Sequence, residues 1–152
     1  MSDLQFRDAV LEDLPFLVQT LADDPLGAQR EQFETPLPAA YTEAFQTIHS
    51  DPNHRLILCE VDGIIAGFFQ LSFLPNLTYI GSWRALIEGV RVAKTHRRQG
   101  IGRAMFEHAI ALCKARKCIL LQLTTDKKRP EAVAFYESLG FIASHEGMKL
   151  GL

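Results

Sequence analysis

The chain has no run of apolar residues near the ~18 needed to cross a bilayer, and no basic-then-apolar leader at Met1-Ser2-Asp3-Leu4. From these two absences the expectation is a soluble, cytoplasmic protein without a membrane partner. Cysteine is scarce: Cys59, Cys113 and Cys118 are odd in number and show no Cys-x-x-Cys spacing. Cys59 and Cys113 lie within apolar patterns, which favours buried reduced thiols over metal or redox work. His49, His54, His96, His108 and His145 fall at no metal-ligand spacing, and no Gly-x-Ser-x-Gly elbow is present. A metal centre and a serine hydrolase are thereby disfavoured. Repeats, linkers and low-complexity tracts are missing too, so residues 1–152 read as a single domain. Its length and its 47% apolar share are enough to bury a core.

The net charge of −2 conceals an asymmetry. Residues 1–80 carry 3 basic against 12 acidic side chains, and residues 81–152 carry 13 against 6. Halves of opposite sign suggest two charged ligand regions rather than a uniformly basic surface. The acidic half suits a cationic amine, and solvated surface charge explains it equally well.

Hydrophobic periodicity sets out the elements. Leu4 to Arg7 reads as a strand, and Val10 to Leu21 as an amphipathic helix with Pro15 in its first turn. Asp24-Pro25-Leu26-Gly27 breaks the pattern, and Thr35 to Pro38 initiates a helix running to about Ser50. Arg55 to Val61, Asp62-Gly63 and Ile64 to Leu74 form a hairpin signature. Thr78 to Gly81 is a connection and Trp83 to Val92 the next strand. Ile119 to Thr124 is nearly continuous apolar sequence, as in a parallel strand covered on both faces. A helix from Glu131 to Leu139 ends on Gly140, and Phe141 to Ser144 pairs with Met148 to Leu150 as a last hairpin. The order β-αα-βββ-α-β-α-ββ is α/β with a mixed sheet.

The chemistry concentrates where the strand ending at Val92 meets a helix pattern opening at Ile101 and carried by Met105, Ala109, Leu112 and Cys113. Between them lies a basic loop closing on Gly100-Ile101-Gly102. Glycines let backbone N–H groups approach a ligand, and the first turn of a helix has unpartnered N–H groups at its positive dipole end. This is an anion site suited to a phosphate or pyrophosphate, ringed by Lys94, Arg97, Arg98 and Arg103. A dinucleotide fingerprint would need glycine where Met105 stands, and the Gly-Lys-Ser/Thr of a Walker loop is absent. No aromatic residues interleave the basic ones, so nucleic acid is not the expected partner.

Arg97-x-x-Gly100-x-Gly102, after the strand Val90-Arg91-Val92, resembles the pyrophosphate loop of the GNAT family of N-acetyltransferases. Some 30 residues on, Arg129-Pro-Glu-Ala132-x-x-Phe135-Tyr136-x-x-x-Gly140-Phe141 resembles that family's fourth helix and the turn after it. The resemblance implies the GNAT acyl-CoA N-acyltransferase fold: a mixed central sheet of six to seven strands with about four helices. It also implies an enzyme that moves an acetyl group from acetyl-CoA (coenzyme A as co-substrate, no metal) directly to a primary amine. The alternative is a catalytically silent CoA-binding sensor of the same fold. By resemblance the cofactor is held by Val90, Arg91, Val92, Arg97, Arg98, Gln99, Gly100, Ile101, Gly102, Arg103, Arg129 and Phe135. Backbone groups of Val90 to Val92 would line the pantetheine arm, and the N–H near Val90 would polarise the thioester. Tyr136 is the implied general acid and Glu88 the implied base, with Glu60, Tyr79 and ordered water as rivals. Gly89 beside Glu88 permits a local bulge. Arg129 stands where many relatives have asparagine, and either reaches a phosphate or is solvated. Residues 26–45 border the implied acceptor site, and the resemblance also admits a homodimer.

Overall fold

In the computed structural model, which describes residues 3–152, one five-stranded sheet runs in the order β1-β2-β3-β4-β5. The strands are β1 (Leu4–Asp8), β2 (His54–Val61), β3 (Ile64–Pro75), β4 (Trp83–Val92) and β5 (Leu120–Gln122). The first four pair antiparallel, and β5 joins β4 in parallel. The β2–β3 hairpin turns on Asp62-Gly63, whose φ angles of 52° and 79° are the left-handed pair that a tight two-residue turn requires. Met1 and Ser2, the start of the stretch read for a leader, lie outside the described residues.

Helices cover both faces. They are α1 (Leu14–Ala22), α2 (Gly27–Arg30), α3 (Ala39–Ser50), α4 (Thr78–Gly81), α5 (Ile101–Ala115) and α6 (Pro130–Ser138). On one face α1 and α3 bring Leu17, Val18 and Phe45 against Leu58 and Phe68 of the sheet. On the other, α5 lays Ile101, Met105, Phe106, Ala109 and Cys113 on Phe69, Leu71, Phe73, Ala85 and Ile87. Met105 and Phe106 are fully buried, each contributing about 1.5–3 kcal/mol of hydrophobic stabilisation. Cys59 and Cys113 are buried free thiols, and burial pushes both pKa values up to about 11. They are chemically quiet at neutral pH. No described helix is long and apolar enough to cross a membrane.

The architecture differs from expectation mainly at the end of the chain. Five strands are present among the described residues instead of six to seven. Phe141 to Ser144 and Met148 to Leu150 form no ladder: Ser144 N–H turns back onto the Ile142 carbonyl at 2.9 Å, and Ile142, Met148 and Leu150 stay more than four-fifths exposed. The apolar run 119–124 yields only the three residues of β5, because its pairing stops at Leu86↔Gln122. Of the six helices among the described residues, α2 and α4 are single turns, which leaves four of nine residues or more. The helix expected from Val10 begins as a 3-10 turn, Leu11–Asp13, and becomes α1 at Leu14.

Candidate functional site

β4 makes the site by losing its neighbours. On the β5 side its pairing ends at Leu86, yet the strand runs on to Val92. On the β3 side Gln70 pairs with Glu88 and Phe68 with Arg91, so Gly89 and Val90 have no partners. One residue of β3 thus faces two of β4, which is a bulge. Gly89 takes the left-handed φ of 60° that the bulge needs and glycine supplies freely. The bulge also resets the alternation of side chains. Residues 68 and 70 of β3 share a face, so their partners Arg91 and Glu88 do as well, on the side covered by α1 and α3. Without the extra residue Arg91 would point into the opposite core.

Past β4, Ala93 is buried, Lys94–His96 form a 3-10 turn, and the chain enters α5 through two left-handed residues, Arg98 (φ 61°) and Gly100 (φ 79°). No side chain caps α5 at Gly100. Its first helical bond is Ala104 N–H to the Gly100 carbonyl at 3.1 Å, so the N–H groups of Ile101, Gly102 and Arg103 have no helical acceptor. Gln99 and Arg98 are exposed on this loop. The Arg97 Nε donates to the Val92 carbonyl at 3.4 Å, and Arg91 donates to the Val90 carbonyl at 2.9 Å. Gly102 faces the Phe135 ring: a Cβ there would sit 3.5 Å from its tip. Arg103 donates to the Ser138 hydroxyl at 3.1 Å and ties α5 to α6.

α6 turns an aromatic wall toward this end of the sheet. Phe106 meets Phe135, Tyr136 and Phe141 edge-on at centroid distances of 5.6–5.9 Å. Burial raises the Tyr136 pKa above its ordinary value of 10, and the charges of Arg129 and Arg91 pull the other way. The phenol therefore lies within the field of both guanidiniums and holds its proton at pH 7.

The α1–α2 turn closes the other side. Lys94 Nζ is 2.8 Å from Asp23. Asp24 Oδ1 accepts the Gly27 N–H, while Arg129 and Arg91 approach Oδ2 at 3.1 and 3.5 Å. Burial works to raise the Asp24 pKa, but the Gly27 bond and the charges of Arg129, Arg91 and Arg30 outweigh it and hold it low. The Arg91 side chain is 14% exposed, and burial lowers its pKa against the pull of Asp24. It stays charged at neutral pH. An open cavity of about 440 Å³ between this turn and the basic loop is lined by Asp23, Asp24, Lys94 and Arg97.

The expected residues thus fall into two groups. Val90 to Val92, Arg97 to Arg103, Phe135 and Tyr136 line one continuous stretch from the open edge of β4 to the first turn of α5. Arg129 meets Asp24 rather than standing free in solvent. Glu88 is exposed on the face toward α1 and α3, the one the Arg91 side chain shares and the α5 side does not. Two rival bases are placed elsewhere. Glu60 is held by Arg7 at 2.7 Å on β2, with β3 between it and β4. Tyr79 precedes β4, and seven steps of extended chain, about 23 Å of strand, separate Trp83 from Val90. Sequence reasoning missed Asp23 and Asp24, since nothing local marks partners that lie 67 to 105 residues away, and Arg30, which stands near them only through the fold.

Comparison with known proteins gives a consistent picture. The model of the Acetyltransferase (GNAT) family matches residues 19–141. The [Ribosomal protein bS18]-alanine N-acetyltransferase of Escherichia coli (strain K12) is 31% identical over 112 residues, 70% of this chain and 75% of that protein. A crystal structure described as a transcriptional regulator from Bacillus halodurans C-125 superposes with a TM-score of 0.95 at 50% identity, covering 99% of this chain and 100% of that one. A Clostridium acetobutylicum protein crystallised with acetyl-CoA shares the fold at a TM-score of 0.74 and 20% identity, covering 98% and 96%.

Proposed function

The chain belongs to the Acetyltransferase (GNAT) family, and we propose that it transfers an acetyl group from acetyl-CoA directly to a primary amine. The observation that carries this reading is the open edge of β4 beyond Leu86, leading straight into the uncapped first turn of α5. Extended backbone with no strand beside it suits an amide-bearing arm laid alongside as an added strand. The N–H groups of Ile101 to Arg103 suit a diphosphate. Arg97, Arg98 and Arg103 supply charge around it, with Gln99 and Gly100 shaping the loop. Phe135 packs over Gly102 where the arm would pass. Acetyl-CoA supplies the acetyl thioester.

The protein's own part is proton management and orientation. A lysine-like amine with pKa near 10.4 is neutral about once in a thousand at pH 7, a penalty of about 4–5 kcal/mol. Glu88, exposed on the face of α1 and α3, takes that proton directly or through water. The amine nitrogen then bonds to the acetyl carbon as the carbon–sulfur bond breaks. The N–H of Val90, at the bulge where β4 leaves the β3 register, is the donor best placed by the fold for the carbonyl oxygen. Tyr136 gives its proton to the departing thiolate, and the proton that the nitrogen sheds as the amide forms restores the phenol through water. Moving a proton from an ordinary phenol of pKa near 10 to a thiolate of pKa near 8.5 costs about 2 kcal/mol, and the burial that raises the Tyr136 pKa makes this step costlier.

The 50% identical structure described as a transcriptional regulator favours a second reading, a CoA-binding sensor without turnover. Thiol release from acetyl-CoA with a panel of amines, products identified by mass spectrometry, separates the two. The transferase reading requires an acetylated amine. Thermal stabilisation by acetyl-CoA with no amine turned over contradicts it and supports the sensor.

A further inference from the structure

The arginines that gather on Asp24 stand on the Glu88 side of β4, and they outnumber the carboxylates around them. Arg91 and Arg129 approach Asp24, and Arg30 acts electrostatically on both Asp24 and Arg91. Facing them are Asp24 itself and Glu31, which lies 3.7 Å from Arg30. Three guanidiniums against these two carboxylates leave one positive charge in excess at this end of the corner, and Glu88 stands at the other end. Both carboxylates are already engaged by other groups: Asp24 accepts the Gly27 N–H, and Glu31 accepts the Tyr41 hydroxyl at 3.1 Å. Meanwhile Arg91 Nε is buried without a hydrogen bond, since 3.5 Å to Asp24 is an ion-pair separation in poor bonding geometry. The surplus is reachable from solvent, because the Arg129 and Arg30 side chains are 31% and 52% exposed.

The bulge at Gly89 explains why this charge matters. It puts Arg91 on the same face as Glu88, in line with two β3 residues, Phe68 and Gln70, that are themselves two apart. A carboxylate and a cluster of guanidiniums then share one corner beside the open edge. A polyamine or a lysine side chain brings only positive charge, which suits Glu88 and leaves the guanidinium end unmatched. A molecule with charges of both signs is matched at both ends. Guanidinium forks bind a carboxylate or a phosphate in two parallel hydrogen bonds, which gives orientation as well as attraction.

We propose that the acceptor is an amine that also carries an anionic group, a carboxylate or a phosphate monoester, held by Arg129 and Arg30 beside Arg91 while its amine faces Glu88. This rests on the transferase reading and names its substrate class. Arg129 and Arg30 are in this scheme specificity-determining residues for the acceptor and leave the diphosphate to the loop at the head of α5.

Matched pairs of acceptors test it by thiol release at saturating acetyl-CoA: each protein amino acid against its α-amide, β-alanine against β-alaninamide, and phosphoethanolamine against ethanolamine. An adjacent amide makes an α-amine less basic and leaves more of it neutral at pH 7, so without an anion subsite the amino-acid amides win. The expected result is at least one pair in which the anionic member has tenfold or higher kcat/KM, and the winning pair identifies carboxylate or phosphate. Arg129→Gln and Arg30→Gln should each shrink that ratio at least fivefold, and Arg129→Lys should restore part of it. The proposal is overturned if the neutral member matches or beats its partner in every pair. It is equally overturned if the preference survives both substitutions, or if Arg30→Gln weakens acetyl-CoA binding while leaving the ratio intact. Failure to acetylate any amine refutes the transferase reading itself, and the subsite falls with it.

Discussion

Replacing Gly67 by alanine tests how tightly the core and the open edge of β4 are joined. Gly67 sits on β3 opposite Cys59 and Val92, under α5. A Cβ there would lie 2.8 Å from the Arg91 carbonyl oxygen and 2.9 Å from Met105 Sδ. Met105 is 0% exposed, so its sulfur has little room to yield, and the oxygen belongs to a strand paired at Phe68. Overpacking of this kind costs about 1–3 kcal/mol. Alanine recovers about 0.5–1 kcal/mol because it loses less backbone freedom than glycine. The net expectation is destabilisation by about 1–2 kcal/mol, a fall in Tm of about 2–8 °C for a chain of this size. Because the displaced atom is the Arg91 carbonyl, acetyl-CoA affinity should fall together with stability. Chemical denaturation and calorimetric titration read the two quantities. A Gly67→Ala protein with unchanged stability and affinity would refute the claimed coupling.

Tyr136→Phe should lower kcat about 10–10³-fold with little change in acetyl-CoA affinity, and an unchanged kcat would remove the phenol from the mechanism. Burial raises the Tyr136 pKa above 10.0, so the protonated acid persists at higher pH than a free phenol. Any alkaline loss of kcat that depends on Tyr136 should therefore fall above pH 10, and one centred near pH 8 that Tyr136→Phe abolishes would contradict this. Gly100→Asp should weaken acetyl-CoA binding at least tenfold, since it adds negative charge at the head of α5 and a side chain at φ 79°; calorimetric titration of the folded variant decides. Ile80 is a fully exposed β-branched residue at φ 61°, so Ile80→Gly should raise stability by about 1 kcal/mol in urea denaturation, and a loss of stability would show that the side chain is anchored.

What could be read from the chain was the chemistry that neighbours in sequence decide. Asp62-Gly63 must turn left-handed wherever it lies, and the stripe Ile101, Met105, Ala109, Cys113 buries one face of any helix that contains it. The basic loop and its glycines carry their meaning locally for the same reason. Gly89 was also legible as a bulge, because a glycine beside a polar strand residue has few other uses there. What escaped was decided at a distance. The shortness of β5 reflects where β4 stops offering it a partner, which the apolar run 119–124 cannot reveal. Phe141 to Leu150 has strand-like residues but finds no ladder. The joining of Asp24 to Arg91 and Arg129 spans up to 105 residues and has no local pattern. Arg129 in particular reads as solvated or phosphate-facing until Asp24 is placed beside it.

The central claim is that the backbone amides opening α5 hold a diphosphate while the open edge of β4 receives the arm that bears the thioester. A crystal structure with coenzyme A tests it most directly. The account predicts the diphosphate against the amides of Arg98 to Arg103 and the sulfur beside Val90, near the Tyr136 hydroxyl. Coenzyme A bound elsewhere, or a sulfur far from that hydroxyl, would contradict it.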